Sequence, residues 1–406
     1  MSEQQSMFGI FNNIKPDISM SEGNRELLRL LKLQQESGLS VYAAKASESR
    51  GRAVPENDFD VRSCFERDIG RIIFSQSFRR LRHKTQVFFN PTNDHICSRL
   101  EHVIYVNYIA CTIGKALNLN LDLIKAIALG HDIGHAPFGH SGERVLNECL
   151  KEKNGELFFE HEAHGLRVID LLEKHNGKSF GLNLSFEVRD GILSHCGEVY
   201  DEKVLRPDKD KDLSDVSYLI PKAKRGAPAT MEGCVVRFSD KIAYVGRDIE
   251  DAVRFGLMES FDDGRENLDE EVVLGYSNAQ TINSLVEDII NQSIDRDEIR
   301  MSESAAQALE NVLNSNVKNI YKARKVKTYE KTVEIMIKGL FDAYYDAASN
   351  PEANLNSAVD AIRKFSVFAL NHPEKGSAPP ELIVTDYIAG MTDQYATDCF
   401  NDLYKN

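Results

Sequence analysis

A short polar segment holds the densest group of chemically active side chains in the sequence. Residues 131–143 read HDIGHAPFGHSGE and directly follow an apolar stretch that ends at Leu129. The glycines in this segment allow tight turns and a close approach of the backbone to a ligand. Adjacent histidine and aspartate provide mixed donors that suit Mn, Fe, Ni or Zn, and also Mg when substrate phosphates complete the shell. The segment therefore predicts part of a divalent-metal site.

Two adjacent residues cannot fill a coordination shell, so other parts of the chain must supply further ligands. His102 follows Arg99-Leu100-Glu101 at the start of a long apolar segment, and Asp240 ends the apolar run that begins at Val235. We expect Asp240 to start a helix, where an isolated aspartate would serve as an N-cap. Taken together, His102, His131-Asp132 and Asp240 give the order H…HD…D, which predicts that the four side chains converge on one metal.

Composition limits the class of protein. The 406 residues are 42% hydrophobic and 28% charged, which is typical of a globular protein with a sizeable core. The net charge of −14 argues against a broad basic face for duplex DNA, although it allows a local phosphate pocket. We expect no membrane span, no signal peptide and a cytoplasmic location. The seven cysteines are scattered without a CxxC pair, which indicates reduced thiols and excludes a zinc ribbon.

Hydrophobic periodicity predicts an all-α fold that positions these residues. The spacing of apolar residues predicts a series of helices, at 22–35, 102–117, 121–129, 165–172, 279–289, 302–321, 333–345 and 358–369. Residues 201–230 are charged and contain three prolines, so they predict an irregular excursion. We divide the chain into an N-terminal extension (1–60), a helical core with the candidate site (61–275) and a helical C-terminal lobe (276–406).

Several longer segments carry a family resemblance. They are 71–88 (RIIFSQSFRRLRHKTQVF), 99–102 (RLEH), 131–143, 159–162 (FEHE) and 181–189 (GLNLSFEVR). In this order, from about residue 62 to 253, they resemble the deoxyguanosine triphosphate triphosphohydrolase (dGTPase) family of the HD superfamily of metal-dependent phosphohydrolases. The run RRLRHK (79–84) could indicate a nucleic-acid patch, but on an acidic chain we favour a local role in substrate or subunit contacts.

The resemblance implies a reaction and a metal centre. His102, His131, Asp132 and Asp240 would bind one divalent metal, with Mg or Mn favoured over Fe, Ni or Zn. The substrate would be a deoxynucleoside triphosphate (dNTP), and dGTP first among these, cut at the α-phosphorus to a deoxynucleoside and tripolyphosphate. Such hydrolysis needs a positioned water, an acid for the departing oxygen and cations around the phosphates.

The resemblance also assigns roles to other residues. His140 and Glu143 match a histidine–carboxylate dyad, and their i, i+3 spacing places them on one helical face. Further catalytic histidines would be His135 and His161, while the order of acid and base stays open. Five positions match substrate-binding residues: Gln86, Tyr244 and Asp248 at the deoxyribose, and Arg99 and Lys241 at the phosphates.

Two other functions share the H…HD…D ligands. One is a different HD phosphohydrolase, acting on nucleoside monophosphates, alarmones or cyclic dinucleotides, and the other is a nucleotide-sensing HD scaffold without activity. The segments at 79–88 and 131–143 favour the dNTP class, and no GYP triplet, as expected for the cyclic dinucleotide class, lies near the HD pair. The resemblance further implies a homo-oligomer, hexameric in the family, and leaves single-stranded nucleic acid as a candidate partner.

Overall fold

Helices form nearly all of the regular structure. The computed structural model describes residues 20–56, 60–87, 96–175, 179–195, 202–213, 226–260, 274–275 and 277–405. Within these ranges there are fifteen α-helices, and the predicted all-α class is confirmed. They are α1 (Glu22–Ser37), α2 (Cys64–Ile73), α3 (Gln76–Arg80), α4 (Arg99–Ala116), α5 (Leu121–Gly130), α6 (Gly139–Lys153), α7 (His161–Arg167), α8 (Phe186–Ser194), α9 (Met231–Arg254), α10 (Asn278–Ser293), α11 (Glu303–Asn316), α12 (Arg324–Ala348), α13 (Asp360–Leu370), α14 (Pro380–Ala389) and α15 (Asp393–Tyr404).

Strands are few and short in the described ranges. β1 (Lys174–His175) pairs with β2 (Ser179–Phe180), and β3 (Val204–Leu205) pairs with β4 (Ile299–Arg300), both antiparallel. Two helices continue as single π-helical turns, α7 into Val168–Leu172 and α11 into Val317–Tyr321. The predicted excursion at 201–230 contains β3, and its residues 214–225 lie outside the described part of the chain.

A first apolar core surrounds α4, α5 and α9. These helices carry apolar side chains on most faces, which is the pattern of a helix covered on all sides. In α9 even the middle of the helix is closed off, and Val235, Phe238 and Ile242 have no exposed surface. Asp240 lies inside α9, so the expectation that it starts a helix is wrong. The turns of α9 before Asp240 are buried and rich in apolar residues, which hides their helical periodicity in the sequence. The N-cap is Thr230, whose side chain accepts from the Gly233 amide.

A second apolar core joins α6 to the C-terminal helices α12–α15. Leu146 and Leu150 of α6 belong to the same buried cluster as Phe341 and Tyr344 of α12. Helices α10 and α11 instead contribute to the first core. The predicted boundary between the helical core and the C-terminal lobe at residue 275 stays a prediction. The buried apolar residues of 278–313 pack with the first core.

Buried polar contacts fasten the two cores together next to the histidine-rich segment. The carboxylate of Asp393, at the start of α15, accepts from the Thr85 amide (2.9 Å), the Thr85 hydroxyl (2.6 Å) and the Phe138 amide (2.9 Å). Phe138 has a φ of 63° and Gly139 a φ of 58°. A Cβ atom at Gly139 would stand 2.9 Å from the Gln86 carbonyl oxygen, so the tight turn before α6 requires glycine there.

The remaining expectations concern thiols and membranes. Six cysteines are free thiols, and Cys196 lies outside the described residues. Across the described ranges, no helix combines the length and the apolar character needed to cross a membrane.

The N-terminal extension is fastened to the core by a buried glutamate. One carboxylate oxygen of Glu232, at the start of α9, accepts from the Ala44 amide (3.0 Å) and the Asn120 amide (2.9 Å). Burial raises the pKa of Glu232 from 4.5 to about 7. The folded state therefore binds more protons than the unfolded state between these values, so the free energy of unfolding falls as pH rises through this range.

We expect Glu232→Gln to remove this loss of stability. At about 1.4 kcal/mol per pH unit, wild type should lose roughly 3 kcal/mol between pH 4.5 and 7, while the variant keeps the amide contacts without a charge. Urea unfolding at several pH values measures the difference, with Glu250→Gln on the same helix as the control. Parallel pH profiles for wild type and Glu232→Gln would contradict the prediction.

Candidate metal-dependent active site

Helix ends and one continuous helix bring the predicted ligands together. A capping box between Ser98 and Glu101 starts α4 and places Arg99 and His102 on its buried side. Asn120 caps the start of α5, whose other end leads directly into His131 and Asp132. Asp240 is delivered from the middle of α9. All four predicted ligands are at most 9% exposed.

The four side chains converge as the H…HD…D order predicts. His102 Nε2 lies 2.9 Å from Asp240 Oδ1, and His131 Nε2 lies 3.8 Å from the same oxygen. His131 Nε2 is also 3.9 Å from Asp132 Oδ1. The donor atoms of His102, His131 and Asp132 all lie within 4.8 Å of one another, which is close enough to bind one ion.

The hydrogen bonding of the two ring nitrogens of His131 indicates that this donor set fits a metal. His131 Nδ1 donates to the Ala128 carbonyl oxygen (2.7 Å), which leaves the lone pair on Nε2. Nε2 is buried without a hydrogen-bond partner, a costly state for an imidazole nitrogen unless a cation binds there. The chain thus has a buried cluster of imidazole and carboxylate donors that can hold a divalent metal.

Asp132 is held as an anion by a buried arginine. Its Oδ2 accepts from Arg99 Nη1 at 2.8 Å, and its Oδ1 lies 3.2 Å from His135 Nε2. Burial raises the pKa of Asp132, but the charge of Arg99 and the nearby histidines together outweigh burial and hold this pKa well below its usual range. Arg99 keeps two buried donors, Nε and Nη2, that have no hydrogen-bond partner. Because Arg99 also lines the adjacent cavity, those donors suit a phosphate oxygen.

Glu143 joins three of the predicted catalytic histidines. Its carboxylate lies 3.0 Å from His161 Nδ1, 3.6 Å from His140 Nδ1 and 3.8 Å from His135 Nδ1. The rings of His135 and His161 stack with centroids 3.8 Å apart, while the His140 side chain is 56% exposed. The nearest histidine to Glu143 is therefore His161, eighteen residues away, and not His140 within the predicted dyad. Both stay candidates for proton transfer.

A cavity of about 340 Å³ opens over this cluster. We refer to it as the histidine-lined cavity. Among the predicted residues, it is lined by Gln86, Arg99, His102, Asp132, His135, His140, His161, Asp240, Tyr244 and Asp248. Tyr244 and Asp248 follow Asp240 by one and two turns of α9, so they share its face.

Lys241 lies away from that cavity. It is 1% exposed, and its Nζ lies 3.0 Å from Glu202 Oε2. A residue next to Asp240 along a helix points about 100° away from it, and this rotation turns Lys241 toward Glu202. Its assignment to the phosphates stays a prediction.

Two site residues have no signal in the sequence motifs. Tyr321 lines the histidine-lined cavity from the π-helical turn after α11, and its hydroxyl donates to Asp248 Oδ2. Burial raises the pKa of Asp248 to about 7. His195 ends α8, and its buried Nε2 has no hydrogen-bond partner. Donor atoms of Asp132, His161 and His195 lie within 4.8 Å of one another. In the sequence, His195 is an isolated histidine next to a cysteine, and Tyr321 is the last residue of a predicted helix. Neither pattern indicates a functional site.

The fold and the site define an HD-domain phosphohydrolase, a hydrolase with a divalent-metal site. Residues 99–244 match the HD domain family, and residues 299–402 match the phosphohydrolase-associated domain. Two relatives are described as deoxyguanosinetriphosphate triphosphohydrolase-like proteins. The protein from Caldanaerobacter subterraneus is 38% identical, over 90% of this chain and 92% of its own length. The protein from Clostridium tetani is 39% identical, over 89% of this chain and 91% of its own length. Among solved structures, a hypothetical protein from Aquifex aeolicus aligns over 76% of this chain and 69% of its own, with 19% identity and a TM-score of 0.36. The chain belongs to the deoxyguanosinetriphosphate triphosphohydrolase-like family.

Removing one ligand tests the metal site without relying on activity. We expect Asp132→Ala to lose the bound metal, because it removes a carboxylate donor and leaves Arg99 without its counter-ion. Elemental analysis of purified protein measures the metal, and circular dichroism checks the helical fold. Asp122→Ala, in the first turn of the helix that precedes Asp132, is the control and should keep the metal. Full metal occupancy in folded Asp132→Ala would show that the ion lies elsewhere.

Proposed function

We propose that the protein is a metal-dependent dNTP triphosphohydrolase, with dGTP as its first substrate. The reaction would convert a dNTP and water to a deoxynucleoside and tripolyphosphate. The observation that carries this proposal is a single cavity lined by metal donors, by an arginine with unused donors and by the Tyr244–Asp248 pair. The printed names of the relatives support the same substrate class.

The metal would be held by His102, His131, Asp132 and Asp240, and Mg or Mn suits a site that phosphate oxygens complete. When bound, a divalent cation polarises a phosphoryl oxygen and stabilises the charge that develops on it. Arg99 would bind the phosphates through Nε and Nη2 while Nη1 stays with Asp132. This division places a positive group beside the polyanion without releasing the aspartate.

Proton transfer would be carried out by the histidines around Glu143. A carboxylate within 3.0 Å orients the His161 ring, and the same carboxylate lies near His135 and His140. His140 is the most exposed of the three and lines the cavity, so a leaving group there can reach it. We therefore assign His140 as the proton donor to the departing 5′-oxygen and His135 or His161 to the attacking water.

The sugar would lie against Tyr244, Asp248 and Gln86. The Tyr244 ring would occupy the space that a 2′-hydroxyl needs, and Asp248 would bind the 3′-hydroxyl. Gln86 Oε1 is buried without a hydrogen-bond partner, so it can accept from the same hydroxyl. Tyr321 holds the Asp248 carboxyl group from the opposite side.

This arrangement predicts a strong preference for deoxyribonucleotides. dGTP should be turned over far faster than GTP, and Asp248→Ala should raise KM for dGTP about 10- to 100-fold, the loss of a buried hydrogen bond worth roughly 1–3 kcal/mol. Chromatography of nucleoside and tripolyphosphate products measures both, with Glu250→Ala as the control on the same helix. Equal rates on GTP and dGTP would contradict the assignment, and orthophosphate or pyrophosphate as the product would favour a different HD phosphohydrolase.

His140→Ala tests the assignment of the proton donor. General acid–base catalysis contributes about 10²- to 10⁴-fold, so kcat should fall by at least two decades while the metal content stays unchanged. That loss corresponds to about 3–5 kcal/mol of barrier, more than positioning by an exposed side chain accounts for. Arg144→Ala, at an exposed residue on the same helix and outside the cavity, is the control. A loss below tenfold in metal-replete His140→Ala would transfer the role to His135 or His161.

The proposal includes a homo-oligomer, which the family resemblance implies is a hexamer. Sedimentation velocity measures the oligomeric state directly. Binding of single-stranded nucleic acid is tested by fluorescence anisotropy with a labelled oligonucleotide.

A further inference from the structure

A second, larger cavity lies between the two apolar cores. Its volume is about 700 Å³, and none of its lining residues borders the histidine-lined cavity. One wall comes from α3, α7 and β1–β2, and the other from α13, α14 and the start of α15. We refer to it as the inter-lobe cavity. Concave sites of this size between two structural units are where small ligands commonly bind in proteins.

The carboxylates of the inter-lobe cavity already have several hydrogen-bond partners. Glu173 accepts from the amides of Gln76 (2.9 Å) and Ser77 (3.1 Å), which fixes the start of α3. Asp386 accepts from Arg167 Nε (2.8 Å) and lies 3.1 Å from His372 Nε2. Both carboxylates are therefore engaged in holding the walls together, and the cavity has no carboxylate left for a cationic ligand among the residues that line it in the described ranges.

The basic side chains of the cavity, Arg80 and Lys174, make no direct ion pair with a carboxylate in the described part of the chain. Arg80 is half-buried, and its Nη2 donates to the neutral Ser77 hydroxyl at 2.8 Å. In the part of the chain that the structure describes, no carboxylate oxygen lies within 4.0 Å of the Arg80 guanidinium or of Lys174 Nζ. Burial also lowers the pKa of Arg80, although a guanidinium stays charged at neutral pH. The nearest carboxylate charge that acts on Arg80 is that of Glu173, which raises its pKa but is bonded to Ser77 and makes no direct ion pair with the guanidinium. A half-buried guanidinium without a direct ion pair is stabilised further by an anion that enters the cavity.

The opposite wall is aromatic. Phe368 and Tyr387 have ring centroids 5.0 Å apart, and the Tyr387 hydroxyl lies 3.0 Å from that of Tyr395. Phe180 lines the cavity on the same side as Lys174. Aromatic faces favour a planar ring, which stacks on them while its charged substituent reaches the arginine.

Contacts connect this cavity with the catalytic histidines. His164 lines the inter-lobe cavity, and its Nδ1 lies 2.9 Å from the carbonyl oxygen of Gly134. Gly134 stands between Asp132 and His135 and packs so closely on α7 that a Cβ atom would come within 2.0 Å of the His161 carbonyl oxygen. A ligand that shifts His164 therefore moves the turn that carries the metal ligand and a catalytic histidine.

We propose that the inter-lobe cavity is a regulatory site for a small anion with a planar ring, an aryl or heterocyclic phosphate or carboxylate. Arg80 would bind the anionic group, and the planar part would pack against the aromatic wall of Phe368 and Tyr387, whose rings are tilted by 44° to each other. Binding itself does not depend on the proposed dNTP hydrolysis, whereas the regulatory effect rests on it.

Ligand-observed NMR with defined probes tests the binding. Phenyl phosphate represents aryl phosphates, adenosine monophosphate heterocyclic phosphates and benzoate carboxylates, with inorganic phosphate as the probe without a ring. We expect at least one ring-bearing probe to bind the wild-type protein and to bind Arg80→Gln at least tenfold more weakly. Arg80→Lys should restore part of the lost affinity. Arg79→Gln, an exposed arginine on the same helix, is the matched control and should bind like wild type. Tyr387→Leu provides a second variant on the opposite wall, with the same expected loss.

The outcomes separate the two parts of the proposal. Binding that is equal in wild type, Arg80→Gln and Tyr387→Leu would overturn the site, as would the failure of every ring-bearing probe to bind. A probe that binds through Arg80 should change the rate of dGTP hydrolysis at least twofold in wild type and not in Arg80→Gln. Binding without that change would overturn the regulatory role, and absence of any dGTP hydrolysis would count against the proposed function while the binding result stands.

Discussion

The buried contact between Arg99 and Asp132 is the constraint on which the site depends. A carboxylate that is 3% exposed needs a partner, and the guanidinium of Arg99 supplies it at 2.8 Å. This pair fixes the start of α4 against the end of α5, which also fixes His102 and His131 because they lie on the same two segments. Beside this pair, His131 Nε2 has no hydrogen-bond partner and suits a cation, while Arg99 Nε and Nη2 have none and suit an anion. In the function that we propose, a metal complex of a polyanion would meet these groups already in place.

Charge is distributed in a way that favours this cavity over the rest of the surface. The chain has a net charge of −14, so a polyanion is repelled by most of the surface. Several basic side chains lie inside and are already matched, as Arg167 is by Asp386 and Arg237 is by Glu202. Attraction is therefore local, and in the function that we propose, affinity for the phosphates would come from the metal and from Arg99.

The predictable parts of the protein were those encoded by local order and spacing. The H…HD…D order led to four converging side chains, and the i, i+4 and i+8 spacing after Asp240 led to one face of α9. Tertiary contacts were not predictable in this way, since Glu143 pairs most closely with His161 from another helix and Tyr321 reaches Asp248 across 73 residues. The start of α9 was misplaced because complete burial hides helical periodicity.

The Asp393 contact has a consequence for how the two halves of the protein can evolve. One carboxylate from the phosphohydrolase-associated region holds two backbone segments beside the histidine-lined cavity, at Thr85 and at Phe138. The HD region is thus not a portable module, because gene fusion or recombination that exchanges the last helix would also exchange a support of the active site. Lineages should inherit the two regions as a pair, and chimaeras between distant relatives should lose turnover before they lose helical content.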